Sequence, residues 1–338
     1  MPFGQLVSCV KLYNEKVTNG VVFVAEDLIE LIDLSWMILK HDFVDISPRR
    51  GYAMVLMLLG SIVISFGGLA IRNIETADNW QINFYRSIAF ALAISIVLLF
   101  RYGKTGPQQL KGIGLEGILA AMLLASASIS FLQAITNTTV AATTFTLSSI
   151  PFLTAIMAWL FLGERIGKST ILTMCIAAAG ISLMFVQGFG SGTLYGNFMA
   201  LLCAVGFSSY AIIIRRNRRL EMLPTLILSN LIIMLVALLF TWDNLSISWN
   251  DLLICFILGG LLSATVNTLF LIAAKHLFAA ELTLFMLLEF TLGPIWVWIL
   301  VNEVPTSWTL VGGSIVISAV FLKSVSELRK GHCQKDLT

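Results

Sequence analysis

Ten apolar runs, each about the length of a membrane-spanning helix, limit how this chain can fold. A helix needs about 20 mainly apolar residues to cross a hydrocarbon core about 30 Å thick. The 338 residues are 58% hydrophobic and 12% charged, whereas soluble domains contain about 25% charged residues. We therefore predict an all-α integral membrane protein with ten transmembrane helices, at residues 52–71, 82–100, 113–132, 140–162, 169–187, 194–214, 225–241, 252–274, 279–301 and 308–325.

The positions of the positive charges favour one orientation of these helices. Lysine and arginine residues lie before the first run and in every second connection, whereas the alternate connections contain only Arg72. Connections rich in lysine and arginine stay on the cytoplasmic side, so both termini are predicted to be cytoplasmic. Four tryptophans fall at the opposite face, where an interfacial aromatic belt is expected: Trp80, Trp242, Trp249 and Trp308.

An internal repeat divides the ten runs into two sets of five. The segment 140–164 is matched by the segment 279–303, so that Trp159 aligns with Trp298 at an offset of 139 residues. Because five is an odd number, the second copy enters the membrane in the opposite orientation to the first. Inverted repeats of this kind are typical of secondary transporters. The predicted architecture is therefore two inverted five-helix repeats.

The predicted organisation has four parts. Residues 49–188 form the first repeat, residues 194–325 form the second, and residues 326–338 form a cytoplasmic tail. Residues 1–48 show no signal-peptide pattern, and the acidic residues within their apolar part make membrane spanning unfavourable. We expect this segment to be an N-terminal extension that is poorly ordered or lies at the membrane interface.

Glu289 is the strongest single candidate for a functional residue. It lies ten residues past Ala279, which places it about 15 Å into its run and near the membrane midplane. A charge there costs roughly 3 kcal/mol. The carboxyl group therefore either faces a cavity as a functional group or stays protonated and hydrogen-bonds to a neighbouring helix. Gly293 and Pro294 are predicted to break the same helix, and Pro151 is predicted to kink the fourth run.

Arg86 is the second charged residue within the runs that needs an explanation. It lies four residues inside the second run, about 6 Å from its end. Its side chain can extend outward to the interface or pair with Glu75 or Asp78. We therefore assign it as a structural charge, with a contact to a ligand as the alternative.

Several other classes of function lack support in the sequence. An intramembrane enzyme would need a catalytic motif, and His276 has no partner carboxylate at a suitable spacing. The five cysteines form no CxxC pair, so neither a metal site nor a cofactor is expected. No nucleotide-binding loop is present, which excludes a primary pump for this chain alone. The basic residues at 215–219 are explained by topology, without nucleic acid. A non-transporting scaffold or receptor remains as an alternative.

Several short motifs occur together along the chain: Phe84-Tyr85-Arg86-Ser87, Ala134-Ile135 leading into Thr139–Ala142, Ile150-Pro151, Gly163-Glu164-Arg165, Tyr210 with Arg215-Arg216, and Leu288-Glu289 with Asn302-Glu303. In these motifs the sequence resembles the EamA-type members of the drug/metabolite transporter superfamily. The resemblance extends over about residues 50–325, and two features depart from it: Phe290 stands where the second repeat often has proline, and the N-terminal 48 residues have no counterpart.

This resemblance implies a ten-helix fold that moves small organic solutes by alternating access through a central cavity. It also implies that Glu289 couples transport to an ion or binds a substrate ammonium group. Six polar residues are expected in the cavity: Ser65, Gln133, Ser149, Tyr210, Asn267 and Glu289.

The sequence thus predicts a secondary transporter for small metabolites, with amino acids or related compounds as one candidate class. It is expected to act in the lipid bilayer as a monomer or homodimer, without a cofactor and without nucleic acid. The compact length and the short connections favour a bacterial cytoplasmic (inner) membrane, with an organellar membrane as the alternative.

Overall fold

A computed structural model describes residues 50–103, 113–138, 140–184, 193–218, 220–301 and 307–333. Within these ranges the protein is helical and contains no strand, and the ten apolar runs all coincide with helices. This confirms the predicted all-α class, while the predicted extension 1–48 lies outside the described residues. Among the described residues, six helical segments are long and apolar enough to cross a membrane: Asn79–Tyr102, Gly114–Asn137, Phe145–Leu162, Leu194–Arg216, Leu223–Thr241 and Trp249–Ala274.

The helices are numbered here in chain order. Those of the first half are α1 (Arg50–Ser65), α2 (Gly67–Arg72), α3 (Asn79–Tyr102), α4 (Gly114–Asn137), α5 (Val140–Leu147), α6 (Ile150–Met157) and α7 (Lys168–Met184). Those of the second half are α8 (Leu194–Arg216), α9 (Leu223–Thr241), α10 (Trp249–Phe256), α11 (Ala264–Ala274), α12 (Ala279–Phe285), α13 (Leu287–Val301) and α14 (Ser307–Cys333). Two segments wind as π-helix, namely Ala158–Leu162 after α6 and Ile257–Ser263 between α10 and α11.

Three of the apolar runs are interrupted by a short non-helical step. The first run breaks at Phe66, between α1 and α2. The fourth breaks at Ser148 and Ser149, between α5 and α6, and the ninth breaks at Met286, between α12 and α13. Such steps release backbone groups from the helical hydrogen-bond pattern, and within a membrane they are tolerated only where protein or water satisfies those groups.

The two predicted proline effects have different outcomes. Pro151 lies in the first turn of α6, where the missing N–H has no helical partner to lose, and the fourth run is interrupted directly before this turn, at Ser148 and Ser149. Gly293 and Pro294 do not break their helix, because α13 is continuous through both residues. The break of the ninth run lies at Met286 instead, before Glu289 and not after it.

The helices of the two halves pack on each other in reciprocal pairs. The second run packs on the seventh (α3 on α9), the fifth on the tenth (α7 on α14), and the fourth on the ninth (α6 on α12). The third run packs on the sixth (α4 on α8), and its counterpart, the eighth, packs on the first (α11 on α1). In the same way the fourth run packs on the sixth run, and the equivalent ninth run packs on the first run. The hydrophobic core therefore lies between the halves.

Small residues permit the closest of these helix contacts. A Cβ atom at Gly180 on α7 would lie 2.8 Å from the carbonyl oxygen of Gly312 on α14. A Cβ atom at Gly206 on α8 would lie 3.3 Å from the carbonyl oxygen of Leu123 on α4. In a lipid environment, helices associate by close packing of this kind more than by apolar burial.

The connection after α2 is fixed to the start of α10 by one carboxylate. Asp251 is 1% exposed and accepts hydrogen bonds from the backbone N–H groups of Glu75, Thr76 and Ala77, at 3.2, 3.0 and 3.1 Å. The hydroxyl of Thr76 donates to the same carboxylate, and the hydroxyl of Ser248 accepts from the backbone N–H of Asp251. This contact joins the first and second halves at one end of the bundle.

Replacing Asp251 by asparagine is expected to lower the thermal unfolding midpoint by about 4 °C or more. The new NH2 group would face N–H donors, and leaving buried donors without an acceptor costs about 2 kcal/mol. The measurement is thermal unfolding of the purified protein in detergent. Asp243→Asn, at an exposed position, is the matched control and is expected to shift the midpoint by about 1 °C or less. Equal midpoints for the two variants would contradict the assigned role.

Candidate functional site in the helix interior

The break at Met286 shapes the surroundings of Glu289. The backbone N–H of Glu289 donates to the carbonyl oxygen of Met286 at 3.1 Å, whereas a regular α-helix would direct it to Phe285. The hydroxyl oxygen of Ser61 on α1 lies 2.8 Å from the carbonyl oxygen of Phe285. It lies equally close to the carbonyl oxygen of Met57 in its own helix. Ser61 therefore supplies a donor where the step in the ninth run exposes a carbonyl group.

Glu289 is partly buried in the helix bundle. Its carboxyl group interacts electrostatically with the thiol of Cys203, which places it near α8. Among the residues that the structure describes, its side chain has no hydrogen-bond or ion-pair partner.

Ser65 lies at the break of the first run and contacts the same helix as Glu289. The indole N–H of Trp296 on α13 donates to the hydroxyl oxygen of Ser65 at 2.7 Å. That hydroxyl donates in turn to the carbonyl oxygen of Ile62 at 2.6 Å. The ring of Phe66 stacks on Trp296 with 4.3 Å between centroids. The structure thus brings the predicted residues Ser65 and Glu289 to the contact between α1 and α13.

Tyr210 and Asn267 lie on α8 and α11, beside this region. Tyr210 is fully buried, and its ring stacks on Phe270 with 6.0 Å between centroids. Its hydroxyl group has no hydrogen-bond partner within the described part of the chain. The side-chain NH2 of Asn267 donates to the carbonyl oxygen of Ser263 at 2.9 Å, at the point where the π-helical segment meets α11. Tyr210 therefore has an unused hydroxyl group, whereas Asn267 has a local backbone partner.

Ser149 and Gln133 make local contacts in the structure. The hydroxyl of Ser149 donates to the carbonyl oxygen of Thr146 at 2.6 Å, across the break in the fourth run. The side-chain oxygen of Gln133 accepts from the side-chain NH2 of Asn137 at 3.2 Å, within one turn of α4. No described contact joins either side chain to Glu289. Ser61, which is not among the six predicted cavity residues, contacts the break beside Glu289 more directly than either.

Arg86 is partly buried where α3 contacts the π-helical segment. Because α3 begins at Asn79, three residues before the predicted start, Arg86 lies about 10 Å inside the helix. Its side chain passes beside Gly259 of the π-helical segment and interacts electrostatically with Cys255. No ion pair with Glu75 or Asp78 occurs within the described ranges, and Asp78 instead caps α3 by accepting from the backbone N–H of Gln81 at 2.8 Å.

An ion pair links the two halves where α8 ends. The guanidinium of Arg215, 7% exposed, donates to the carboxylate of Glu164 at 2.8 Å and to the carbonyl oxygen of Ala274 at 2.9 Å. It also lies over the ring of Phe278, at 5.6 Å from the centroid. The second carboxylate oxygen of Glu164 accepts from the backbone N–H of Ala279 at 3.3 Å. The carboxylate of Glu164 thus connects the end of the fourth run to Arg215 of the sixth run and to Ala279 of the ninth. Arg215 extends this connection to Ala274 at the end of the eighth run.

His276 lies in the connection beside this ion pair. Partial burial lowers the pKa of its imidazole, and the positive charges of Lys275, Arg215 and Arg218 lower it further. The imidazole is therefore neutral at pH 7 and adds no charge to the connection between α11 and α12.

Comparison with known proteins identifies relatives of this fold. Residues 51–186 match the model of the EamA-like transporter family. The chain is 26% identical over 182 residues to solute carrier family 35 member G1 of Homo sapiens, a match that includes 50% of this chain and 49% of that protein. It is 28% identical over 138 residues to the Mus musculus protein of the same name, over 41% of this chain and 37% of that protein. The chain spans about half the length of the curated relatives it matches, or less.

A solved structure shows the same fold. The solved structure, described as a crystal structure of protein, superposes on this chain with a TM-score of 0.71 at 14% sequence identity. The match includes 81% of this chain and 97% of that chain. At this identity the comparison concerns the arrangement of the helices alone.

Proposed function

We propose that this protein moves small organic metabolites by alternating access. The chain contains an EamA-like transporter family domain, and it is thereby a membrane protein of the drug/metabolite transporter superfamily. Glu289 is the observation on which this proposal rests. A carboxyl group without a protein partner, partly buried in a bundle of apolar helices, needs a proton or an external cation to offset its desolvation. A secondary transporter offers both, as a coupling ion or as a substrate.

Interrupted helices in both halves support this function. The fourth run breaks at Ser148 and Ser149, and the ninth breaks at Met286, so equivalent runs of the two halves are interrupted near the middle of their length. In secondary transporters, interrupted helices near the midplane present backbone groups to substrates and ions. We propose that these two steps, together with the break at Phe66, border the substrate path.

The reciprocal packing of the two halves supports a repeat architecture. A contact between two runs recurs between the equivalent runs of the opposite half, as expected for repeats related by a pseudo-two-fold axis. We propose that all ten runs span the membrane, that residues 49–188 and 194–325 are inverted repeats, and that both termini are cytoplasmic. Rocking of one half against the other would then expose the interior alternately to each side.

We propose roles for the polar residues according to their surroundings. Glu289 couples transport to a proton or binds a substrate ammonium group, and Ser65 and Tyr210 hydrogen-bond to substrate. Gln133, Ser149 and Asn267 border the path while hydrogen-bonding to their own helices. Amino acids and related compounds are the proposed substrate class. The matched relatives are mammalian proteins and give no support to the bacterial location over an organellar one.

The test is uptake by proteoliposomes of a mixed pool of labelled amino acids and nucleoside-type metabolites, with and without a pH gradient. We expect saturable uptake by the native protein, stimulated about tenfold by an inward proton gradient. In Glu289→Gln the stimulation is expected to disappear, because the amide cannot exchange a proton.

Glu75→Gln is the matched control, since Glu75 is an exposed carboxylate, and it is expected to keep the gradient response. Uptake that responds equally to the gradient in native protein and Glu289→Gln would remove the coupling role of Glu289. An absence of uptake for every member of the pool would contradict the proposed class and favour a non-transporting scaffold.

A further inference from the structure

A second interior site is indicated by three polar residues on one face of α3. The three residues are Asn83, Arg86 and Ser87. Arg86 and Ser87 lie three and four residues after Asn83, the spacing that places helix side chains next to each other. The exposed apolar residues Leu92 and Ile96 lie on the opposite face of the same helix. The three polar side chains therefore point into the bundle.

These side chains have unused hydrogen-bonding atoms. Asn83 and Ser87 are both fully buried. Neither the amide nitrogen nor the amide oxygen of Asn83 has a partner, and neither does the hydroxyl of Ser87, among the residues that the structure describes. A buried polar group that has lost its water and found no partner destabilises the fold. Three such atoms within one turn of helix indicate a partner that is not part of the chain.

The guanidinium of Arg86 indicates that this partner is an anion. An arginine side chain remains protonated in proteins, and this one is partly buried where α3 contacts the π-helical segment. The neighbouring titratable group with which it interacts is the thiol of Cys255. No carboxylate of the described residues pairs with it. Water molecules satisfy hydrogen bonds, but they do not compensate a buried charge.

The local backbone holds Arg86 in place. Gly259, in the π-helical segment, lies so close that a Cβ atom there would be 2.0 Å from the carbonyl oxygen of Arg86 and 2.9 Å from its Cγ atom. A π-helical turn often occurs at a functional site. The close contact restricts the base of the side chain, so the guanidinium is presented from a fixed position.

We propose that Asn83, Arg86 and Ser87 form a subsite for a carboxylate group of the substrate. The inference rests on the proposed transport function, and it narrows the substrate class to organic carboxylates. The guanidinium binds both carboxylate oxygens, and the amide NH2 of Asn83 and the hydroxyl of Ser87 donate to the same group. A single positive charge matches a carboxylate better than a phosphate monoester, whose charge is about −1.5 to −2 at pH 7.

Thermal unfolding of the full chain in lipid nanodiscs tests the subsite without relying on transport. The probes are acetate, isovalerate and leucine, each compared with its amide (acetamide, isovaleramide and leucinamide) at constant ionic strength, with inorganic phosphate as a further anion. We expect at least one carboxylate to raise the midpoint of the native protein by about 2 °C or more above the effect of its amide.

Two variants assign the shift to the site. Arg86→Gln is expected to abolish the carboxylate-dependent shift, and Ser87→Ala to reduce it by about half with little change in the midpoint without ligand. Arg216→Gln, at a guanidinium that is 64% exposed, is the matched control and is expected to keep the full shift. If Arg86→Gln does not fold, the comparison of Ser87→Ala with Arg216→Gln decides.

The proposal is overturned if no carboxylate exceeds its amide, if both site variants keep the full shift, or if phosphate alone acts through Arg86. The uptake assay separates this result from the proposed function. An Arg86-dependent shift without uptake would keep the subsite and reject transport. Uptake of metabolites without any Arg86-dependent shift would keep transport and reject the subsite.

Discussion

Replacing Gly259 by alanine is expected to destabilise the protein by about 3 kcal/mol or more. The new Cβ atom would lie 2.0 Å from the carbonyl oxygen of Arg86 and 2.8 Å from its carbonyl carbon. Both are backbone atoms of α3, so relief requires the helices to separate, and overpacking of this kind costs about 1–3 kcal/mol even when side chains can adjust. Thermal unfolding in detergent, supported by expression level, is the measurement.

Gly68→Ala is the matched control for this prediction. Gly68 lies in α2, and a Cβ atom there would meet no atom within 4 Å. Alanine is favoured over glycine in a helix by about 1 kcal/mol, so this variant is expected to be as stable as the native protein or slightly more so. If Gly259→Ala unfolded at the same temperature as Gly68→Ala, the close contact between α3 and the π-helical segment would be wrong.

Removing the carboxylate of Glu164 is expected to have the second large effect. Glu164→Ala leaves the guanidinium of Arg215 without its counterion at a site where the two side chains are 14% and 7% exposed. Breaking a buried pair on one side costs about 3–5 kcal/mol, and the backbone N–H of Ala279 also loses its acceptor. We expect a large fall in the thermal unfolding midpoint.

A second ion pair provides the comparison. Arg216 and Glu116 are 64% and 49% exposed and lie 4.0 Å apart, so water and salt screen their attraction, and Glu116→Ala is expected to cost about 0.5 kcal/mol or less. Replacing both partners of the buried pair, in Glu164→Leu with Arg215→Met, is expected to restore much of the stability lost in Glu164→Ala. Equal effects of Glu164→Ala and Glu116→Ala would show that burial does not strengthen the first pair.

The positions of the helices could be predicted from the sequence because length and apolarity are local properties. All ten predicted runs coincide with helices, with boundaries that differ by a few residues. The boundary of α3 matters most. Its capping box at Asp78 and Gln81 starts the helix at Asn79, earlier than the apolar pattern indicated. Arg86 therefore lies about 10 Å from the start of its helix, farther than the roughly 6 Å that the sequence indicated.

The break of the ninth run illustrates what local signals miss. Gly293 and Pro294 are the strongest helix-breaking signals in that run, yet α13 continues through them. The helix breaks at Met286, where nothing in the local sequence indicates a break, and the hydroxyl of Ser61 on α1 lies near the released carbonyl group of Phe285. A partner 224 residues away in the chain cannot be recognised from one run alone.

The candidate site could be predicted only in part for the same reason. Glu289 was identifiable because a carboxyl group in the middle of an apolar run is unusual at any position in a bundle. Ser149 and Asn267 are equally polar in the sequence, but in the structure they hydrogen-bond to backbone within their own runs. Asn83 and Ser87 were not identified as candidates, because only tertiary packing shows that they are buried without partners.

The sequence by itself determined that this chain is a helical membrane protein with a carboxyl group in its apolar interior, since apolar length and charge are read directly from the residues. Only the tertiary structure decided which polar groups remain without a protein partner. Hydrogen bonds and ion pairs between distant helices depend on which faces meet, and that depends on packing across the whole bundle.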